Sequence, residues 1–187
     1  MAKAIREAYA EALVEYGARD DRVVVLDADV SNSTKTALFC KACPERFFNV
    51  GIAEANMTAM AAGFAAVGMI PFVNTFAAFV TSIGLVSINA FGSYSRLPMK
   101  IAGAYSGLSD AFDGPSHHSL SDIAIMRALP NFEVYVPSDA AQTRWLVNYA
   151  IDTPKPIYLR LSREALPDCH GTNTQFEGGK GYILRVG

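Results

Sequence analysis

The longest charge-free segment of this 187-residue chain runs for 41 residues, from Ala55 to Ser95. A soluble chain covers its own surface with charge, so such a segment has to be buried in the fold, in a membrane or against another chain. Pro71, Asn74 and several serines and glycines interrupt it, which disfavours a membrane span of about 20 continuous apolar residues. The segment therefore predicts a core that also packs against a second copy of the chain, giving a homodimer.

Composition narrows the class of protein further. Hydrophobic residues make up 51% of the chain, which excludes intrinsic disorder, and charged residues only 18%, against about 25% in a typical soluble domain. A net charge of −2 provides no basic surface for nucleic acid or for an anionic membrane. Three cysteines are too few for a disulfide framework, and the N-terminus lacks an apolar signal core, so we expect a cytoplasmic protein.

Short runs of β-branched and aromatic residues alternate with longer helix-like stretches. Each run has the length of a strand that is buried on both faces of a sheet. Six such strands separated by helices predict an α/β fold, namely a doubly wound, mostly parallel six-stranded sheet with helices on both faces. The predicted strands are 23–26, 47–50, 70–73, 99–102, 133–136 and 157–161, and the predicted helices are 5–16 with a stop at Gly17, 34–42, 53–67, 76–93, 122–129, and 139–151 with Ser138 as N-cap.

The chain changes character near residue 166. Residues 1–166 contain all six predicted strands and form the predicted domain. The following PDCHGTNTQFEGG is polar and contains glycines, as linkers do. The pattern of KGYILRVG then predicts the first strand of a further domain. We therefore assign residues 167–187 to a linker and the start of a truncated C-terminal domain.

The usual motifs of nucleotide binding and nucleophilic catalysis are absent from the sequence. No GxGxxG follows the first strand, and neither GxxxxGK[ST] nor GxSxG occurs. Ligands of open α/β sheets bind beyond the carboxyl ends of the strands. The residues that follow each predicted strand are therefore the candidates for a functional site.

The first three strand ends carry carboxylates and aromatic rings. Asp29 and Val30 lie in the polar loop after the first strand, which by itself is typical of a turn. Glu54 starts the helix after the second strand, where an acid stabilises the helix dipole, but its place beside the charge-free segment also favours a buried, tuned carboxylate. Phe76 and Phe79 follow the third strand at a spacing that suits both core residues and a ring-binding wall.

A long polar loop follows the fourth predicted strand. It contains Asp113, His117 and His118 at the ligand end of the sheet, a position typical of functional loops. Paired histidines near acids leave a metal-dependent hydrolase open, although their spacing matches no strong ligand pattern. After the sixth strand, Arg163 is suited either to bind a phosphate or to form a surface ion pair.

Taken in order, these segments resemble the pyrimidine-binding domain of the transketolase family, which depends on thiamine diphosphate. The resemblance covers about residues 23–166 and rests on RFFNVGIAEANM, TFAAF, DGPSHH, RALPNFEVYVPSDA and LRLSR. Each motif is weak alone, but several collinear motifs at the family's spacing are specific. The chain most resembles the C-terminal subunit of split transketolases, in which one active site is divided between two polypeptides. The resemblance implies the thiamine diphosphate-binding fold.

The resemblance also implies roles on the cofactor side of the site. Glu54 matches the glutamate that hydrogen-bonds N1′ of the cofactor's aminopyrimidine. Phe76 and Phe79 match the aromatic wall of the pyrimidine pocket. Asp29 and Val30 match residues that line the cofactor, with Val30 supporting its bent shape.

On the substrate side, Asp113 and His117 match the substrate-facing pair of the family's DGPTH-type loop, and His117 is the candidate donor to a developing oxyanion. Arg163 matches the arginine that contacts a sugar phosphate. The family's diphosphate and magnesium motif, which begins GDG, is absent. The resemblance therefore implies that Mg²⁺ and the diphosphate are held by a separate pyrophosphate-binding subunit and that this chain alone is inactive.

Three positions depart from the family's pattern. Tyr105 stands where the family usually has a histidine, Phe112 where it has an acid, and Ser82 where it has a larger side chain. They lie on the substrate side, so they affect the expected sugar more than the cofactor. The expected reaction is transfer of a two-carbon ketol unit between sugar phosphates. A deoxyxylulose-phosphate synthase-like carboligase subunit and a non-catalytic scaffold or regulatory subunit remain open as alternatives.

Overall fold

The structure, a computed structural model, describes residues 3–170, 174–180 and 183. Its strands are β1 (Lys3–Ala4), β2 (Val23–Asp27), β3 (Phe47–Asn49), β4 (Ile70–Phe76), β5 (Lys100–Ala104), β6 (Glu133–Tyr135), β7 (Ile157–Arg160) and β8 (Ala165–Leu166). Six of them form a parallel sheet in the spatial order β3-β2-β4-β5-β7-β6, and β1 pairs antiparallel with β8 outside it. The predicted fold class is confirmed.

Helices cover both faces of this sheet. They are α1 (Ile5–Gly17), α2 (Ser31–Thr34), α3 (Ala37–Ala42), α4 (Glu54–Ala66), α5 (Ala77–Val80), α6 (Leu85–Ser87), α7 (Asp122–Ala128) and α8 (Ala140–Asp152). A π-helical turn, Ile88–Tyr94, continues α6, and short 3₁₀ turns lie at Pro44–Arg46 and Pro115–His117.

Alternation along the strands divides the core into two layers. Val23 and Val25 of β2 face α1, α3 and α8, whereas Val24 and Leu26 face α4, the π-helical turn and α7. Both layers are buried because successive side chains of a strand point to opposite faces. The continuous apolar strands that this requires are the pattern from which the sheet was predicted.

The connections place a crevice between β2 and β4. The chain leaves β2 towards β3 at the sheet edge, and it leaves β4 in the opposite direction, towards β5. Where neighbouring connections diverge in this way, the carboxyl ends of the strands are open to a ligand. The candidate residues after β2, β3, β4 and β5 surround this crevice.

Two of the predicted helices are wrong in extent. The predicted helix 34–42 is divided into α2 and α3, because Lys35 adopts a left-handed conformation with φ +67°. The predicted helix 76–93 starts later, since β4 continues through Phe76, and it is divided into α5, α6 and the π-helical turn.

Two predicted helix ends also differ. The N-cap of α8 is Asp139 and not Ser138, since the Asp139 carboxylate accepts a hydrogen bond from the backbone of Gln142 (2.9 Å). Gly17 is the last residue of α1 and not a left-handed stop. A Cβ there would lie 3.1 Å from atoms of Phe39 and Val23, so close packing explains this glycine.

The charge-free segment leaves an apolar surface on this chain. Val67 after α4, Val86 of α6 and Tyr94 of the π-helical turn are 77%, 80% and 88% exposed. In the described part of the chain, no helix combines the length and apolarity needed to cross a membrane. The predicted strand in KGYILRVG lies almost entirely outside the described residues.

Candidate active site

A buried carboxylate lies at the centre of the crevice. Glu54 is the first residue of α4 and only 3% exposed. Thr75, near the end of β4, donates its hydroxyl to Glu54 Oε1 at 3.1 Å. No described residue donates to Oε2, so this oxygen remains available to a ligand.

Three aromatic rings and a histidine form a wall that begins at Phe76, the residue after Thr75 in β4. The Phe76 ring stacks on Tyr105 with centroids 4.6 Å apart and 12° between the planes. Phe79 lies 5.8 Å from Phe76. His117 meets Phe79 and Phe76 edge-on, at 5.1 and 5.7 Å. The structure therefore brings the predicted pocket wall and the predicted catalytic histidine together.

The loop after β2 is held by Asp27, which stands two residues before Asp29 and to which the sequence assigned no role in the site. Asp27 is fully buried and accepts hydrogen bonds from the Val30 backbone (2.7 Å) and from the hydroxyls of Thr34 (2.9 Å) and Thr36 (2.8 Å). Burial raises the pKa of Asp27, and these three donors oppose the increase. The threonines that follow Asp27 are the signal that could have identified it.

Asp27 thereby positions the two predicted cofactor-lining residues. Val30 packs against the Phe76–Tyr105 cluster. Asp29 is exposed, has a left-handed φ of +64° and accepts a hydrogen bond from Asn49 Nδ2 at 2.8 Å. Aspartate adopts this left-handed conformation more readily than most residues, so it suits the tight turn here.

The substrate-side residues form a second cluster around Arg163. Its Nη1 lies 2.5 Å from Oδ1 of Asp110, a fully buried residue. The guanidinium lies between the rings of Tyr105 and Phe112, at 4.9 and 5.0 Å from their centroids. Asp113, which the sequence predicts to face the substrate, is exposed beside them.

Competing effects act on the Asp110 carboxyl. Burial raises its pKa most, and the neighbouring Asp113 carboxyl raises it further, whereas Arg163 lowers it. No local sequence pattern indicates this ion pair, because Asp110 and Arg163 are separated by 53 positions.

The two histidines of the loop do not form a metal site. His117 Nδ1 lies 3.0 Å from Ser116 Oγ, and His118 Nε2 lies 3.1 Å from the Asp110 carbonyl oxygen. Across residues 3–170, 174–180 and 183, no group of three or more His, Cys, Asp or Glu side chains is arranged to hold a metal ion. The structure thus gives no support to a hydrolase built on this pair.

A buried aspartate supports the base of the same loop. Asp122 Oδ2 accepts hydrogen bonds from Tyr158 Oη (2.9 Å) and Arg160 Nε (2.8 Å). Arg160 lies directly under Gly107, where a Cβ would come within 2.9 Å of Arg160 Nη2. Gly107 also pairs with Ser119 across the loop. These contacts fix the segment that carries Asp110 and His117.

Comparison with known proteins identifies a family. The model of the transketolase pyrimidine-binding domain matches residues 1–168. A protein of Methanocaldococcus jannaschii named as a transketolase C-terminal section is 41% identical over 184 residues, which is 97% of this chain and 58% of that protein. A 6-deoxy-6-sulfo-D-fructose transketolase subunit from Clostridium sp. (strain MSTE9) is 37% identical, over 98% of this chain and 57% of its own.

A solved structure agrees with these relatives. A split-gene transketolase, described as an inactive beta4 tetramer, superimposes with a TM-score of 0.89 and 46% sequence identity. The match covers 100% of this chain and 60% of that one. The chain thus spans 58%, 57% and 60% of the length of these three relatives.

Proposed function

Because the chain belongs to the transketolase family, whose pyrimidine-binding domain it carries, we propose that it is one subunit of a split enzyme that transfers a two-carbon ketol unit between sugars. Thiamine diphosphate is the cofactor of this proposal. A separate pyrophosphate-binding subunit completes the active site. The single observation that carries the proposal is the buried carboxylate of Glu54, whose Oε2 has no donor among the described residues, in the same crevice as an aromatic wall.

The residues of the crevice fit the pyrimidine half of the cofactor. Glu54 Oε1 is occupied by Thr75, and Oε2 has no donor among the described residues, which suits a hydrogen bond to ring atom N1′. Phe76 and Phe79 offer flat apolar surface to the ring, and Val30 packs beside them. A charged or polar wall here would have contradicted the fit.

When bound, thiamine diphosphate supplies a nucleophilic carbon and an electron sink for cleaving a C–C bond. Glu54 would hold a proton at N1′, because a carboxylate in a dry pocket stabilises adjacent positive charge strongly. His117, on the wall, would donate a hydrogen bond to the substrate oxygen where negative charge develops.

The proposal assigns the diphosphate and Mg²⁺ to the partner subunit. The sequence lacks the GDG motif for them, and the described residues contain no metal-binding cluster. The related split-gene transketolase is inactive as a beta4 tetramer, which supports the need for a second polypeptide. The same proposal includes a homodimer and assigns residues 1–166 to the pyrimidine-binding domain. It also includes a reducing, cytoplasmic compartment, which the three free cysteines support.

The test combines reconstitution with one substitution. We expect ketol transfer by the chain mixed with its pyrophosphate-binding subunit, thiamine diphosphate and Mg²⁺, and none by the chain alone. Glu54→Gln keeps the shape of the side chain but removes its charge. In the assembled enzyme it should slow hydrogen–deuterium exchange at C2 of the thiazolium by a factor of about 100 or more. Cofactor affinity should fall less.

A matched control separates charge from position in this test. Glu45→Gln makes the same substitution at an exposed glutamate in the 3₁₀ turn before β3, and exchange should stay at the wild-type rate. Unchanged exchange in Glu54→Gln with the cofactor bound would show that Glu54 only starts a helix. Cofactor binding without any ketol transfer would favour the non-catalytic alternative, to which Tyr105 and Phe112 point.

A further inference from the structure

The cluster around Arg163 differs from an open anion-binding site because the positive charge of its guanidinium is already paired with a carboxylate. The guanidinium already has a carboxylate partner, since Arg163 Nη1 lies 2.5 Å from Asp110 Oδ1. Asp110 is fully buried. A second anion at Arg163 would therefore share one positive charge with a built-in negative one.

Two aromatic rings also contact the guanidinium. Its central carbon lies 4.9 Å from the Tyr105 ring centroid and 5.0 Å from that of Phe112. The Arg163 side chain is only 26% exposed. A guanidinium that is paired and partly covered in this way can still donate to a hydroxyl group, but bidentate capture of a phosphate needs an open fork of donors.

The charges of the neighbourhood cancel. Arg163 and Asp110 form one ion pair, and the exposed Asp113 carboxyl adds a negative charge. Arg6, whose Nη1 donates to Tyr105 Oη, adds a positive one. These two guanidiniums and two carboxylates sum to zero, so the cluster that this chain contributes offers a phosphate dianion no net positive charge.

We propose that Tyr105, Asp110, Phe112 and Arg163 form a specificity site for sugars with an uncharged, hydroxyl-bearing distal end, and that Asp110 is its specificity-determining residue. The inference rests on the proposed ketol transfer and narrows its substrate class. A neutral hydroxyl suits the site because its oxygen can accept a hydrogen bond from the Arg163 guanidinium while its proton is donated to the Asp113 carboxylate. The phosphate contact expected of Arg163 from its sequence position is the competing interpretation.

Two unreactive probes distinguish these interpretations by binding alone. D-Arabinitol and D-arabinitol 5-phosphate lack a carbonyl, so calorimetry on the complete complex, loaded with thiamine diphosphate and Mg²⁺, measures affinity without turnover. We expect wild-type dissociation constants within about threefold of each other, whereas a charge-assisted phosphate contact makes the phosphorylated probe about tenfold to hundredfold tighter. That second result would overturn the proposal.

Substitutions provide independent tests of the same site. Asp110→Asn frees the charge of Arg163, and we expect it to tighten binding of D-arabinitol 5-phosphate about tenfold while leaving D-arabinitol unchanged. Glu164→Gln, which removes an exposed charge next to Arg163, is the matched control and should change neither affinity. Weaker or unchanged binding of the phosphate probe by Asp110→Asn would contradict the inference.

Two further measurements keep the outcome unambiguous. If Asp110→Asn fails to fold, Arg163→Gln replaces it: the proposal requires D-arabinitol to lose at least as much affinity as D-arabinitol 5-phosphate, whereas a phosphate-binding arginine loses about tenfold or more for the phosphorylated probe alone. Turnover of D-fructose and D-fructose 6-phosphate with glycolaldehyde is measured separately. Absence of transfer from both donors would contradict the proposed function, while the binding ratios would still decide the specificity of the Arg163 site.

Discussion

A single buried lysine gives a pH dependence of stability that can be measured. Lys100 at the start of β5 is fully buried, and its Nζ donates to the carbonyl oxygens of Thr153 (2.8 Å) and Lys155 (2.6 Å). Burial lowers the pKa of Lys100 to about 7. Between this value and the pKa of about 10.4 in the unfolded chain, the unfolded state binds more protons, so stability rises with pH.

Comparison with Lys100→Met isolates this contribution. We expect the free energy of unfolding of the wild type, relative to Lys100→Met, to increase by about 2 kcal/mol between pH 7 and pH 9, because one pKa unit corresponds to about 1.4 kcal/mol. Urea denaturation of both proteins at the two pH values measures it. A difference that stays constant with pH would mean that Lys100 remains charged in the fold.

At the same scale, the sequence predicted residues near strand ends but not the contacts between distant loops. Glu54, Phe76 and Phe79 follow predicted strands directly, so the rule that ligands bind at the carboxyl ends located them. The pairing of Asp110 with Arg163 depends on how two loops meet, and no local pattern encodes it. Asp110 could therefore be identified as a site residue only from the structure.

Among the elements, α8 depends on one capping carboxylate that also anchors the segment after β8. Asp139 Oδ1 accepts from the Gln142 backbone, and Oδ2 accepts from the backbones of Cys169 (2.9 Å) and His170 (2.8 Å). We expect Asp139→Ala to destabilise the protein by about 2 kcal/mol or more, because a buried cap and two further donors lose their acceptor. Thermal and urea denaturation measure the loss.

The neighbouring serine is the matched control for that prediction. Ser138 Oγ donates only to the Gln142 side chain (3.1 Å) and has a distant contact with His170 (3.5 Å). Ser138→Ala should cost less than about 1 kcal/mol. Equal losses in the two variants would restore Ser138 as the cap that the sequence predicted. Ser and Asp are nearly equivalent N-cap residues, so only the backbone path distinguishes these adjacent candidates.

Element boundaries were less predictable from sequence than the sheet itself. The four inner strands are almost fully buried and were located as runs of β-branched and aromatic residues, whereas the edge strands β3 and β6 are only partly buried and contain Asn49 and Glu133. The break between α2 and α3 follows from a left-handed Lys35, a conformation that the sequence does not mark with glycine or asparagine. Local propensity alone therefore predicted one helix where the fold has two.

At the scale of the whole molecule, part of the charge-free segment forms an exposed apolar surface. Val67, Val86 and Tyr94 are strongly exposed on one side of the sheet, where a monomer would normally place charged residues. Covering them in a homodimer would require an interface of at least about 1,000 Å². We expect light scattering at micromolar concentration to give a mass of two chains or a multiple of two, and a mass of one chain would contradict this.

A charge placed on that surface tests where the copies meet. Val86→Arg puts a guanidinium on the exposed side of α6. Burying this charge in an interface without a partner costs several kcal/mol. Because about 1.4 kcal/mol corresponds to a factor of ten, association should weaken at least about a hundredfold. The mass should fall towards one chain while circular dichroism stays that of the wild type. Leu38→Arg, on α3 at the opposite face of the sheet, should keep the wild-type mass. A wild-type mass for Val86→Arg would place the contact between copies elsewhere, and the charge-free surface would then be left for the pyrophosphate-binding subunit.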